Sequence, residues 1–299
     1  MVSTRLPALA FAAILWATTV ACGSAGAPVQ RSRASATNAE PAHKVPADPT
    51  NPLRASHRSV SVRRWVTRRP AWLGERVLPR RPDGFGEVRP TPRILRRRRL
   101  PTVDVLPPPK SARFSATIGP VPRPVVERST WRPKCPVSLD QLSYVTMSFW
   151  GFDHQPHTGE MLVNASVAAE IVGVFRSLYE SRFPIEKMRV VTREEQHAPP
   201  TGDTNNTSSF VCRPVTLGST WSEHSYGLAV DVNPFQNPYA RGDLVAPERA
   251  LAYVNRAWRR PGMIFEGDVA TKAFAAIGWE WGGRWTSLKD WMHFSQSGH

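Results

Sequence analysis

Cysteine is scarce in this 299-residue sequence, with only Cys22, Cys135 and Cys212 present. Neither Cys135 nor Cys212 has a second cysteine or a histidine at zinc-site spacing, which makes metal ligation by the two the poorer reading. Acidic residues are scarce in one half only. Positions 31–134 carry 24 Lys/Arg against 7 Asp/Glu, whereas positions 135–299 carry 14 against 17. The formal net charge of +15 and the pI near 10.7 therefore describe a segment rather than a fold. Long apolar runs are also lacking. The one present, Leu6 to Ala21, is too short and too weakly flanked for a membrane span.

The N-terminus, MVSTRLPALAFAAILWATTVACGSAG, follows the pattern of an export signal over 1–26: one basic residue, an apolar run, then small residues around Ala21 and Cys22. TVAC resembles a bacterial lipobox, whose cysteine becomes the lipid-modified first residue of the mature chain. Thr19 departs from the aliphatic residue usual there, and simple cleavage nearby is the other reading. Both export the chain to the cell envelope, anchored through Cys22 or secreted. In that oxidising compartment Cys135 and Cys212 are left as a pair, and a disulfide between them is expected.

Positions 27–134 are rich in Pro and Arg, with 17 of the 29 prolines between 31 and 134. No apolar period persists there, so the segment is expected to be a disordered basic linker, unable to bury enough surface to offset its ordering entropy. The run Arg96 to Arg99 suggests nucleic acid by composition, but an exported chain seldom meets it. The expected role is a solvated spacer that adheres to anionic wall polymers or lipid headgroups.

From Cys135 the composition becomes that of a folded domain, 135–299. Val167, Ile171, Val174, Phe175 and Leu178 recur at helical spacing after Asn164, and Phe183-Pro184 stops the run. MRVVT (Met188 to Thr192) and GLAVDVN read as strands. Helices are expected from near Pro247 to about Trp258, and from Asp268 as N-cap to Ile277 with Gly278 beyond. GWEWGGRW and KDWMHFS are short and strand-like. The mixture predicts an α+β domain with a small, largely antiparallel sheet.

In WSEHSYGLAVDVNPFQNPY, Leu228, Val230 and Val232 alternate with Ala229, Asp231 and Asn233, so that one face is apolar and the other offers a carboxylate. His224 and Asp231 stand seven positions apart. For both to reach one ion the chain must fold back at Ser225-Tyr226-Gly227, where glycine makes the turn easy. A catalytic zinc needs a third protein ligand and an open position. KDWMHF supplies His293, with Asp290 three residues ahead as a base. Ser222 and Tyr226 are candidates for the wall of the site or for loop packing; Trp279, Trp281 and Trp285 are core or cleft wall. His154, His157, His197 and His299 read as surface or loop residues.

Together with NNTSSFVCR before it and GWEWGGRW and KDWMHFS after it, this stretch resembles the zinc D-alanyl-D-alanine carboxypeptidase and L-alanyl-D-glutamate endopeptidase family. These are peptidoglycan peptidases that share a fold with the hedgehog signalling domain, and the chain is most similar to an exported actinobacterial branch. The resemblance runs from Cys135 to Ser295. It implies Zn²⁺ held by His224, Asp231 and His293, with Asp290 as general base. An arginine is also implied, Arg213 by the branch's pattern or Arg193 by the more general one, to stabilise the oxyanion. Met292 stands where many members have tryptophan, and the loop HAPPTGDT is shorter and less acidic than the branch leads one to expect. The implied function is an exported zinc metallopeptidase that hydrolyses peptidoglycan stem peptides, as a D,D-carboxypeptidase or an endopeptidase. The alternative is a non-catalytic wall-binding protein with a structural or empty metal site.

Overall fold

The computed structural model describes residues 66–215 and 218–298, all of which fall in one unit, Asn51–His299. The expected export signal, Cys22, and the linker up to position 65 lie outside the described residues, as does His299. The first sheet is made of β1 (Ala116–Gly119), β2 (Leu142–Trp150) and β3 (Pro156–Asn164), in that spatial order. β2 and β3 form an antiparallel hairpin with register Leu142↔Asn164 to Trp150↔Pro156. Their β-branched and aromatic residues suit a pleated, half-covered surface, and Val145, Met147 and Phe149 alternate into the core.

A short helix α1 (Arg123–Arg128) precedes this hairpin and α2 (Ala168–Glu180) follows it. Asn164 starts the helical run, its side chain accepting from the Ser166 N–H. Ile171, Val174, Phe175 and Leu178 then bury the expected face. α3 (Arg193–His197) is a single turn closed by a Thr192–Glu195 capping box. α4 (Val269–Ala276) begins at Asp268, which accepts from the N–H groups of Ala270 and Thr271. It packs Phe274 on Phe294 with ring centroids 4.0 Å apart.

Two small antiparallel sheets complete the α+β architecture. One has the order β4 (Ala229–Asp231), β9 (His293–Ser295), β7 (Glu280–Trp281). The other has β6 (Leu244–Ala246), β5 (Tyr239–Arg241), β8 (Lys289–Asp290). The two sheets carry the ends of KDWMHFS in different places, β8 pairing with β5 and β9 with β4.

Four expectations need correction. Met188–Thr192 makes two isolated bridges, Met188↔Thr207 and Thr192↔Ser129, rather than a strand, because its polar backbone groups are engaged singly: Met188 O accepts from Glu160 N–H, and Val190 N–H donates to Glu160 Oε1. The helix expected from Pro247 to Trp258 is reduced to a 3-10 turn, Leu251–Tyr253. Glu248 O and Arg249 N–H are bonded instead to Arg89 and Gly202. His157 is buried, with Nδ1 2.8 Å from Asp104 and Nε2 3.1 Å from Asp153, and is no surface histidine.

The largest correction concerns the linker. From residue 66 to 134 the chain is folded onto the domain: Leu78, Leu95, Leu100 and Arg98 are buried, and β1 is an edge of the first sheet. Its apolar residues have no period because they never form a core of their own. Leu78, Leu95 and Leu100 are buried while Val77, Ile94, Val103 and Val105 stay exposed, and the backbone bonds outward, as in Leu78 N–H to Pro200 O and Gly86 N–H to Glu248 Oε1.

Cys135 and Cys212 are joined in a disulfide across 77 positions, amid a second apolar cluster with Val125, Leu142, Leu162 and Phe210. In the chain-entropy model a loop of this length is worth roughly 4 kcal/mol. The Cys135→Ser/Cys212→Ser variant is expected to melt on the order of 10 °C lower. An unchanged melting temperature by calorimetry would contradict this.

Candidate metal centre

β4 is covered on both faces: Ala229, Val230 and Val232 are fully buried. Asp231 stands at the end of the strand, its main chain bonded both ways to Ser208. His224 lies in the 3-10 turn Glu223–Tyr226, which starts at Ser222, whose hydroxyl accepts from the His224 N–H. Gly227 ends the turn at φ 69°, and a Cβ there would sit 2.5 Å from the Asn164 backbone nitrogen. Conformation and space both require glycine, and the reversal brings His224 over Asp231. His293 arrives on β9, where strand register sets it directly opposite Asp231.

The three side chains converge, with one ligand atom from each lying within 4.8 Å of the others. His224 Nε2 is 3.3 Å from Asp231 Oδ2, and His293 Nδ1 is 3.2 Å from Asp231 Oδ1. The two imidazoles meet edge to face at 5.1 Å. His224 Nδ1 is 2.7 Å from the Ser209 carbonyl, to which it donates. That bond turns the Nε2 lone pair toward a carboxylate oxygen, an arrangement that needs a proton or a metal ion between the two.

The donor set fits zinc. Ligand atoms about 2.0–2.1 Å from a tetrahedral ion stand about 3.3 Å from one another; the two histidine–carboxylate separations are of that size, each to a different oxygen of Asp231. Two neutral imidazoles and one carboxylate also form the three-ligand set of catalytic zinc sites, which leave a position open.

Asp290 ends β8, opposite Tyr239 of β5. Its Oδ1 is shut off from solvent and finds no hydrogen-bond partner among the described residues. Gly282 lies against it, where a Cβ would come 2.7 Å from the Asp290 carbonyl oxygen. The two carboxyl groups are driven in opposite directions. Burial opposes ionisation of Asp231, but the charges and hydrogen bonds of His224 and His293 outweigh it and hold that carboxyl well below the usual range. Burial pushes Asp290 up to about 7; negative Asp231 adds to the rise, while His293 and Arg213 oppose it.

Of the two candidate arginines, Arg213 is close enough to act on the Asp290 charge, and its Nη1 donates to Pro214 O at 3.0 Å. Arg193 is exposed at the start of α3. Ser222 serves as the cap of the His224 turn, and Tyr226 packs into the second apolar cluster. Trp279 and Trp281 are core, and the Trp285 ring lies 5.5 Å from His293. Met292 is buried, and its carbonyl accepts from Val232 N–H, so the departure from tryptophan leaves the backbone pairing intact. Sequence reasoning missed Ser209, whose contribution to His224 is a backbone carbonyl.

Residues 216–296 match the D-alanyl-D-alanine carboxypeptidase family. That span holds His224, Asp231, Asp290 and His293; the first-sheet hairpin and Arg213 precede it. No curated protein and no solved structure matches the chain.

The Asp290 shift has a definite sign. A carboxyl whose folded-state pKa is raised contributes stability below its unfolded value of about 3.9, and loses it as pH climbs through the folded value. In chelator-treated protein, Asp290→Asn is therefore expected to raise the melting temperature, and by more at pH 8 than at pH 5. A pH-independent difference would show that this carboxyl is not held protonated by burial.

Proposed function

We propose that the chain is an exported zinc metallopeptidase that hydrolyses the peptide stems of peptidoglycan, as a D,D-carboxypeptidase or an endopeptidase with the hedgehog-like fold. The observation that carries this reading is the convergence of His224, Asp231 and His293 beside a buried, unpartnered oxygen of Asp290, inside the stretch that matches the carboxypeptidase family. When bound, zinc supplies an acidified water and a Lewis acid for the scissile carbonyl.

The protein's own groups divide the remaining work. Asp290 Oδ1 accepts the proton of the attacking water and returns it to the leaving amine. A carboxyl near neutrality suits both halves of that exchange, because it takes up and releases a proton at similar cost. The Arg213 guanidinium, already coupled to the Asp290 charge, stabilises the oxyanion. His224 is held as a ligand by Ser209 O. Cys22, if lipidated, ties the enzyme to the membrane, and exposed Arg93, Arg96 and Arg97 favour an anionic envelope surface.

Incubation with muropeptides followed by mass spectrometry, with and without chelator, identifies the bond. Wild type and Asp290→Ala are both expected to hold about one zinc per chain, with kcat falling on the order of 10²- to 10⁴-fold in the variant. Arg213→Ala is expected to lose about 10²-fold in kcat, and Arg193→Ala to behave as wild type. Full activity in Asp290→Ala would sink the mechanism. Zinc binding by wild type without hydrolysis of any muropeptide would favour the wall-binding alternative.

A further inference from the structure

The four-arginine run does not behave as one unit. Arg96 and Arg97 are exposed, whereas Arg98, between buried Leu95 and Leu100, is 3% exposed. Its guanidinium makes a two-bond fork with Glu186, Nε to Oε2 and Nη2 to Oε1, both 2.7 Å. Nη1 donates to Asp203 O at 2.8 Å, and the Phe235 ring lies 4.4 Å away. Glu186 in turn accepts from Asn205 Nδ2 at 2.8 Å, while Asn205 Oδ1 accepts from Phe235 N–H at 2.9 Å. A single side chain from the N-terminal segment thus ties together residue 186, the start of loop 203–209 and the chain just beyond β4.

That loop also carries the metal centre. Thr207 Oγ1 accepts from Asn233 N–H at 3.0 Å. Ser208 exchanges two backbone bonds with Asp231, of 3.1 and 2.9 Å. Ser209 O orients His224 at 2.7 Å. The loop held by Arg98 at one end holds two of the three candidate ligands at the other. Partners that orient ligating groups tune metal affinity about as strongly as a tenfold to hundredfold change.

We infer that Arg98 is a positioning residue of the metal centre, acting through Glu186 and loop 203–209, so that residues 66–134 are part of the peptidase unit. This rests on the zinc reading proposed above for the ligands, but not on the identity of the substrate. A guanidinium is required because a lysine ammonium cannot make the planar fork and reach the Asp203 carbonyl together.

The test uses the full chain in three forms: wild type, Arg98→Lys, and Arg98→Met/Glu186→Met, the last replacing a buried pair by apolar groups of similar volume, which folds commonly tolerate. Zinc affinity by chelator competition, the visible spectrum with Co²⁺, kcat and KM, and amide hydrogen exchange are compared. The double variant is expected to bind zinc about 10- to 100-fold more weakly, to shift the Co²⁺ bands, and to lose kcat more than it raises KM. Exchange is expected to quicken at 203–209 while β2 and β3 keep their protection. If the double variant does not fold, Arg98→Lys decides by the same measurements, with a smaller effect in the same direction.

Wild-type zinc affinity and kcat in a folded variant, or an exchange increase spread evenly over the domain, would overturn the inference. The exchange arm also distinguishes the two readings. A wild type that binds zinc and cleaves no muropeptide removes the proposed substrate only, and one that binds no zinc removes the metal. In both cases, unchanged exchange at 203–209 in the variants removes the role of Arg98.

Discussion

The Asp231 carboxylate is the point on which the architecture converges. Each of its oxygens faces one imidazole nitrogen, at 3.3 and 3.2 Å, and a partly buried carboxylate held between two such rings is favoured where a proton or a metal ion lies between them. The three segments that supply this arrangement cross at that point: the turn carrying His224, β4, and β9 in register with it. The energy that holds them there is apolar. Val230 and Phe294, the cross-strand pair next to Asp231 and His293, are fully buried in the core with Ile171, Phe175 and Phe274. The hydrophobic face of β4 and β9 therefore anchors the ionic end, and neither can move without the other.

Asp290 shows the same physics with the opposite outcome. It approaches on a different sheet, as partner of β5, where burial outweighs the opposing influence of His293 and Arg213 and pushes the carboxyl up to about 7. Two carboxyl groups with pKa values driven apart by their surroundings are the usual basis of divided roles in acid–base catalysis. The sheet that delivers Asp290 is itself braced by the N-terminal segment. Arg81 forks onto Asp243 in the β5–β6 turn, and Arg89 and Gly86 bond to Glu248 just past β6.

The candidate site was legible where its side chains stand at a local spacing. His224, Gly227 and Asp231 are bound together by one tight turn, and Asp290 and His293 by one short segment, so each group leaves its mark in a few residues. α2 and α4 were legible because caps and a 3.6-residue apolar period are also local. The rest was illegible for physical reasons. A backbone carbonyl such as Ser209 O has no residue signature. The pairing of β8 with β5 and of β9 with β4 divides one aromatic stretch between two sheets, a long-range choice that alternation cannot reveal. Residues 247–258 have helical composition, but acceptors and donors elsewhere in the fold take the bonds that a helix would need.

The Arg96 to Arg99 run shows why composition failed in the N-terminal segment. Exposed Arg96 and Arg97 are what a low-complexity basic stretch predicts, and Arg98 is chemically identical to them. What sets Arg98 apart is external to the run: the Glu186 carboxylate and Asp203 carbonyl already stand in fork geometry where residue 98 passes, between two leucines that fill adjacent apolar sites. Burying one arginine is unfavourable by itself and becomes possible when each guanidinium nitrogen meets an acceptor, as it does here. A segment can therefore lack any core of its own and still be part of a domain, because the core it completes belongs to residues far along the chain. A boundary drawn at Cys135 from composition alone would cut the domain through the most buried ion pair among the described residues.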